Sequence, residues 1–313
     1  MLRVAPDAQA ARRDEEAVRR VAEGVLAAAG VRAAAAAGPA LVAAAFAVQT
    51  ANLPNVTAGT DTATGEPLAP VGPAPHLARS VERALAARPR GADLTGGSRL
   101  VGWERAERAV LDDSRDRLAA AWPEMLTELR ICVAQVALLE GRAIDGFTDF
   151  ATHGAVYVNR ARLGASPRGL PGPVRFAEAL VHEGTHTRCN AAQLSSPFLT
   201  SAADGVDPVR TPLRADPRPL AGLFQQAVVL TRCTELYRRL LDAERTTATP
   251  AEHTTATPAE HTTATPALAA RRDRLSSDAR QAIGTLRQHG GSLTAHGLAV
   301  LGECDDLLRP TAV

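Results

Sequence analysis

V-R-F-A-E-A-L-V-H-E-G-T-H-T-R-C-N, residues 174–190, is the stretch whose reading decides the fold. Pro171-Gly172-Pro173 stops whatever precedes it and opens a helix, because proline suits the first turn. Val174, Ala177, Leu180, Val181 and Gly184 then repeat at the spacing of one buried helix face. Asn190 is the expected stop. His182 and His186 are four residues apart, about 400° round the axis, so both project from one side, one turn apart. Neutral imidazole is the commonest metal-binding side chain, and two at this spacing make half of a mononuclear site. Glu183 is turned by about 100°, so it can reach a metal-bound water without occupying the metal. Random placement would produce such a motif in roughly 1% of chains of this composition, and the helical context lowers that figure further.

Working outward, the 313 residues suit one large domain or two small ones. Hydrophobic content of 45% permits a sizeable core, but aromatics at 3% mean that Ala, Leu and Val must build it. The net charge of +1 gives no broad field toward nucleic acid or anionic lipid, and scarce aromatics argue against base stacking. Every basic residue is arginine. A lysine Schiff base and Walker-type phosphate binding are therefore excluded. Cys132, Cys189, Cys233 and Cys304 form no C-x-x-C pair and read as buried, reduced thiols of a cytoplasmic protein. No secretory signal is evident. The apolar run at 31–48 is alanine-rich and broken by Gly38-Pro39, so it reads as two packed helices and not as a membrane span.

Residues 8–50 are expected to be helical with a corner at Gly38-Pro39, and 51–75 to form a loop. Helices are expected at 76–88 and 103–140, the latter divided at Trp122-Pro123. Ala155-Val156-Tyr157-Val158 reads as a strand bordering the cleft, able to take an extended peptide by edge addition or serving as an ordinary sheet strand. A long loop should cover 195–219, and an amphipathic helix 220–241. T-T-A-T-P-A-E-H occurs at 246–253 and 254–261, followed by T-T-A-T-P-A at 262–267; this repeat reads as a flexible insertion whose His253 and His261 have only adventitious metal affinity. Helices at 268–288 and 292–308 close the chain.

Two imidazoles do not complete a metal site. The 220–241 helix offers Glu235 and Gln225, about 15 Å apart along the axis and about 80° apart around it, so a straight helix cannot bring both to one ion. A carboxylate is the better ligand for a hard or borderline cation, which favours Glu235, with Asp216 and Gln225 in reserve. The competing role for Glu235 is an ion pair with Arg238 or Arg239.

The segments G-A-V-Y-V-N (154–159), A-E-A-L-V-H-E-G-T-H (177–186), P-L-R-A-D-P-R-P-L-A-G-L-F-Q-Q (212–226) and T-E-L-Y-R-R-L (234–240) resemble the H-E-x-x-H peptide-modification proteins associated with ribosomally made, post-translationally modified peptides. The likeness covers roughly 145–245. The D-P-R-P-L segment is its distinctive part, since metallopeptidases share the histidine motif. The resemblance implies an Fe(II)- and 2-oxoglutarate-dependent dioxygenase that β-hydroxylates a side chain of a precursor peptide. By that likeness His182 and His186 would hold the iron, and Arg214 or Arg218 would receive the distal carboxylate of 2-oxoglutarate, which suits arginine's planar fork. The position of Gln225 is often histidine in that family. If that histidine is its third ligand, the chain lacks it; if Glu235 serves, a 2-His-1-carboxylate set is intact.

The expected fold is α+β and predominantly helical, with a small β-sheet beside the metal helix in a zincin-like arrangement. The expected divisions are a helical support at 1–142, a metal-site core at 143–245, a repeat linker at 246–267 and carboxyl-terminal helices at 268–313. The expected partner is a precursor peptide, with neither nucleic acid nor membrane involved. Two other functions compete. One is a zinc metallopeptidase with Glu183 as general base, and the other a degenerate peptide-binding module without turnover.

Overall fold

The structure, a computed structural model, describes residues 1–31, 38–51, 65–88, 97–248 and 264–309. In chain order these form α1 (Ala8–Ala28), α2 (Gly38–Ala51), β1 (Ala69–Val71), α3 (Pro75–Ala86), β2 (Ser98–Val101), α4 (Arg105–Ala121), α5 (Pro123–Cys132), β3 (Gln135–Gly141), β4 (Gly146–Thr148), β5 (Ala155–Asn159), α6 (Gly172–Ser195), β6 (Val209–Thr211), β7 (Arg214–Arg218), α7 (Leu220–Ala248), α8 (Ala264–Gln288) and α9 (Ala295–Leu308). The chain is mostly helical with a small mixed sheet. Most of the octapeptide repeat, with His253 and His261, lies outside the described residues. Its first and last residues extend α7 and begin α8.

The sheet is built on β3. One edge of β3 pairs in parallel with β1 through residues 135–137 and antiparallel with β2 through residues 138–141. Its other edge pairs in parallel with β5, and β5 pairs antiparallel with the short edge strand β4. Side chains alternate between faces with period two. Ala137, Leu139, Ala155 and Tyr157 pack with Leu77 and Val81 of α3, whereas Val136, Leu138, Val156 and Val158 join the main core with α6. Both faces are thus covered. That explains why 135–140, expected to be helix, is strand: a strand buried on both sides is a continuous apolar run, which periodicity alone cannot tell from a buried helix. β5 is likewise interior and paired on both edges, so its role is that of an ordinary sheet strand, and the edge beside the cleft belongs to β4.

Local chemistry accounts for several boundaries. Asp7 caps α1 by accepting from the Ala10 N–H at 2.9 Å, and Thr294 caps α9 through the Gly297 N–H. Glu104 and Glu107 form a reciprocal capping box on α4. Pro123 opens α5 directly after α4, as the sequence suggested. α6 does not stop at Asn190; A-A-Q-L-S continues the helix to Ser195, just before Pro197. The segment 195–219 is not all loop, because β6 and β7 pair as a hairpin within it.

α6 and α7 lie against each other at the centre, with α1, α4 and α5 against α6 and with α8 and α9 against α7. One core cluster runs from Leu2 to Leu308, so the amino-terminal helices share the interior of α6, and the boundary drawn at 142/143 falls between β3 and β4 inside one sheet. Two arginines sit in that interior with 1% side-chain exposure: Arg188 on α6 and Arg232 on α7. Asp14 bonds Arg188 at 2.7 Å, and Glu128 bonds Arg232 at 2.6 Å while lying 3.8 Å from Arg188. Arg232 also donates to the carbonyls of Arg3 and Val4, which pins the amino-terminal segment across the bundle. All four cysteines are free and buried, and burial raises each thiol's pKa, as expected for inert core residues. Among the described residues no helix is long and apolar enough to cross a membrane.

Candidate active site

α6 presents Glu178, His182 and His186 at successive intervals of four residues, and all three line one cavity of about 690 Å³. The two imidazole centroids are 5.2 Å apart with planes at 62°. Recession from solvent, with repulsion from His186 second, pushes the His182 imidazole down to about 3, so it is a neutral lone-pair donor at neutral pH. This helix approaches α5 closely because position 184 has no side chain: a Cβ there would lie 2.1 Å from Leu129 Cδ2.

Glu183 is buried and lines the same cavity against the edge strand. Gly146 of β4 makes that placement possible. A Cβ at 146 would lie 2.8 Å from Glu183 Oε1 and 3.2 Å from the Tyr157 carbonyl oxygen. Residues 145–150 border the cavity, with Phe147 stacked on Tyr157 at 4.2 Å between centroids. The strand edge and the carboxylate thus share one wall.

Gln225, from the start of α7, takes a role that the sequence did not assign. The His186 Nδ1–H donates to Gln225 Oε1 at 2.8 Å, and Gln225 Nε2 donates to Asn190 Oδ1 at 2.9 Å. A carbonyl oxygen only accepts, so it fixes the Nδ1–H tautomer and leaves Nε2 as the ring's lone-pair nitrogen. This is the arrangement that orients a metal-binding histidine from behind. With zinc as the probe, Gln225→Ala is expected to weaken metal binding by roughly 10–100-fold, measured by competition with a chromophoric chelator. Unchanged affinity would refute the clamp.

Glu178 is held from two sides. Tyr237 donates to its Oε2 at 2.6 Å, and Arg271 of α8 donates through Nε at 3.1 Å and through Nη2. Burial works against its charge, but the bonds from Arg271 and Tyr237 and the Arg271 charge outweigh it, so the carboxyl stays below its usual range. Arg162 pairs with Asp145 at the mouth of the same cavity.

The remaining expected residues divide. Glu235 is not on the cavity wall. It accepts from Arg238 at 2.6 and 2.7 Å and from Arg239 at 2.7 Å, so the ion-pair role replaces the ligand role. Burial alone would raise its carboxyl, but those two arginines hold it below the usual range. Asp216 pairs with Arg218 at 3.0 Å and is also absent from the wall. Arg218 lines the cavity. The Arg214 side chain lies outside the described residues. Among the described residues no third histidine, cysteine or carboxylate completes a metal-holding group with the histidine pair. Sequence reasoning missed Glu178, Gly146, Asn190 and Arg271. Of these, Glu178 alone carried a signal, standing four residues before His182 as His186 stands four after. Comparison of the chain with protein-family models and with curated proteins finds no match.

Proposed function

We propose that the chain is a metal-dependent peptide-modifying enzyme, with His182 and His186 as its metal-holding pair. The observation that carries this reading is the opening of two imidazoles, one of them clamped from behind, onto a cavity of about 690 Å³ beside the edge of β4. The donor chemistry fits a divalent ion: both rings sit on one helix face, His182 is neutral and His186 has its tautomer fixed. The antiparallel edge strand along the metal helix supports a zincin-like arrangement, in which an extended peptide would add to β4 through its main chain. Resemblance over 145–245 extends the proposal to Fe(II)/2-oxoglutarate-dependent β-hydroxylation of a side chain in a precursor peptide. When bound, iron with 2-oxoglutarate supplies oxidation of an unactivated carbon, and zinc in the same place would supply an acidified water. The chain's own residues orient the His186 ring through Gln225 and Asn190, keep Glu183 beside the pair, and wall the site with paired charges at Glu178–Arg271 and Asp145–Arg162.

A second reading, zinc peptide hydrolysis, is favoured by one observation: Glu183 lies against the strand edge where a scissile peptide would run. One experiment separates the two. Iron-loaded chain, given 2-oxoglutarate, air and its peptide substrate, is expected to form succinate and a hydroxylated peptide. Under hydroxylation Glu183→Gln is expected to retain turnover within about tenfold; under hydrolysis it is expected to lose cleavage by a factor of about 10²–10⁴. Absence of succinate from an iron-replete sample with that peptide overturns the oxidative reading.

A further inference from the structure

Residues 1–7 precede α1 as a segment outside any helix or strand. Its side chains alternate between water and the interior. Met1, Arg3 and Ala5 are exposed, whereas Leu2 is 2% and Val4 0% exposed, and both join the main core. That is the period of two of an extended chain. The segment nevertheless pairs with no strand among the described residues.

Side chains of three helices take the place of a partner strand. The His296 Nε2–H of α9 donates to the Leu2 carbonyl at 3.0 Å. Arg232 of α7 donates through Nη2 to the Arg3 carbonyl and through Nε to the Val4 carbonyl, both at 2.9 Å. The Val4 N–H donates to Glu303 Oε2 of α9 at 2.8 Å, and the Asp7 N–H to Glu128 Oε2 of α5 at 2.8 Å. His296 and Glu303 stand seven residues apart, two turns along one face of α9. These five bonds read the main chain without regard to sequence, and the two enclosed side chains select apolar residues. Grooves that recognise extended peptides divide their labour in this way. Arg3 adds an exposed pair with Glu303 at 3.2 Å, which contributes little. None of the gripping residues lines the cavity of the histidine pair, so this is a separate place on the molecule. The segment can also leave without breaking a helix or a sheet ladder, as locally unfolding units do.

We propose that α5, α7 and α9 form a groove for an extended peptide with apolar residues at two positions one residue apart. Residues 2–7 of this chain are its resident, separable ligand. A vacated groove takes a peptide of the same pattern in trans.

The test uses the full-length chain with Leu2→Ser and Val4→Ser, which remove both apolar anchors and leave every gripping side chain in place. The probe is the capped, labelled peptide Leu-Arg-Val-Ala-Pro-Asp, followed by fluorescence anisotropy. It is expected to bind the double variant at least about tenfold more tightly than the parent, whose own segment fills the groove. The same peptide with serine at both apolar positions is expected to bind the double variant at least about tenfold more weakly. Adding Glu303→Leu is expected to cost the original peptide about tenfold. Equal affinity for parent and double variant, or of the two peptides, overturns the groove. Circular dichroism checks that the double variant is folded. If it is not, the parent decides through amide exchange read by NMR. The Val4 and Asp7 amides are expected to exchange at least about tenfold faster than those of residues 228–232 in α7, and faster still with excess free peptide, which holds the open state. Equal protection, or exchange indifferent to the peptide, overturns the proposal.

Discussion

Glu128→Leu is expected to destabilise the fold by about 3–5 kcal/mol, the cost of leaving buried charges without their partner. Glu128 serves three groups: Arg232 Nη1 at 2.6 Å, the Asp7 N–H at 2.8 Å, and Arg188 at 3.8 Å. Its side chain is 3% exposed, and neither arginine has a route to water, each being 1% exposed. Removing the one carboxylate between them leaves Arg232 with only the carbonyls of Arg3 and Val4, and Arg188 with Asp14. The penalty is desolvated charge and not lost attraction, so adding Arg232→Met to Glu128→Leu should recover part of it, because apolar replacement of a whole buried pair is often tolerated. Urea unfolding of the single and double variants measures both. A single variant within 1 kcal/mol of the parent would show that water reaches this network.

His182→Ala is expected to abolish stoichiometric metal retention while leaving the helix folded. The imidazole projects into the cavity from a helix whose opposite face is packed with Phe176, Ala177 and Leu180, so truncation enlarges a space that is already open. The loss should exceed the roughly 10–100-fold expected when a supporting group such as Gln225 is removed, because a bond to the ion disappears and not merely the orientation of one. Elemental analysis after anaerobic purification gives the stoichiometry, and far-ultraviolet circular dichroism checks the helix content. Retention of one ion per chain by this variant would move the metal elsewhere and end the proposal for this cavity.

The helix that carries H-E-G-T-H was legible because its signals agree. A proline start, a four-residue histidine spacing and one apolar stripe all point the same way, and α6 follows, extended by five residues beyond Asn190. β5 was legible from its β-branched centre. β3 was not, since a fully buried strand has no alternation to display. The edge strand β4 is three residues long, too short for any periodic signal, and its defining residue is a glycine whose importance comes from a carboxylate 37 positions away in sequence. The misreading of Glu235 has a different cause. Residues 227–237 of α7 are buried without interruption, so the helix carries no stripe that would tell which side meets α6. Geometry on paper established that Gln225 and Glu235 could not both reach the site, but the choice between them depends on tertiary packing. Glu235, the only carboxylate of the two, had the better chemistry and the wrong azimuth.

The hydrogen-bonded loop from His186 through Gln225 to Asn190 begins and ends on α6 and crosses to α7 once. Sliding either helix past the other by a single residue rise, about 1.5 Å, would carry Gln225 toward one of these partners and away from the other, because His186 and Asn190 lie one turn apart along α6. Ring orientation is therefore a gauge of how α6 and α7 are seated. Whatever immobilises that imidazole should also slow amide exchange with deuterium along both, so the setting of one ring and the rigidity of the central bundle would rise and fall as one quantity.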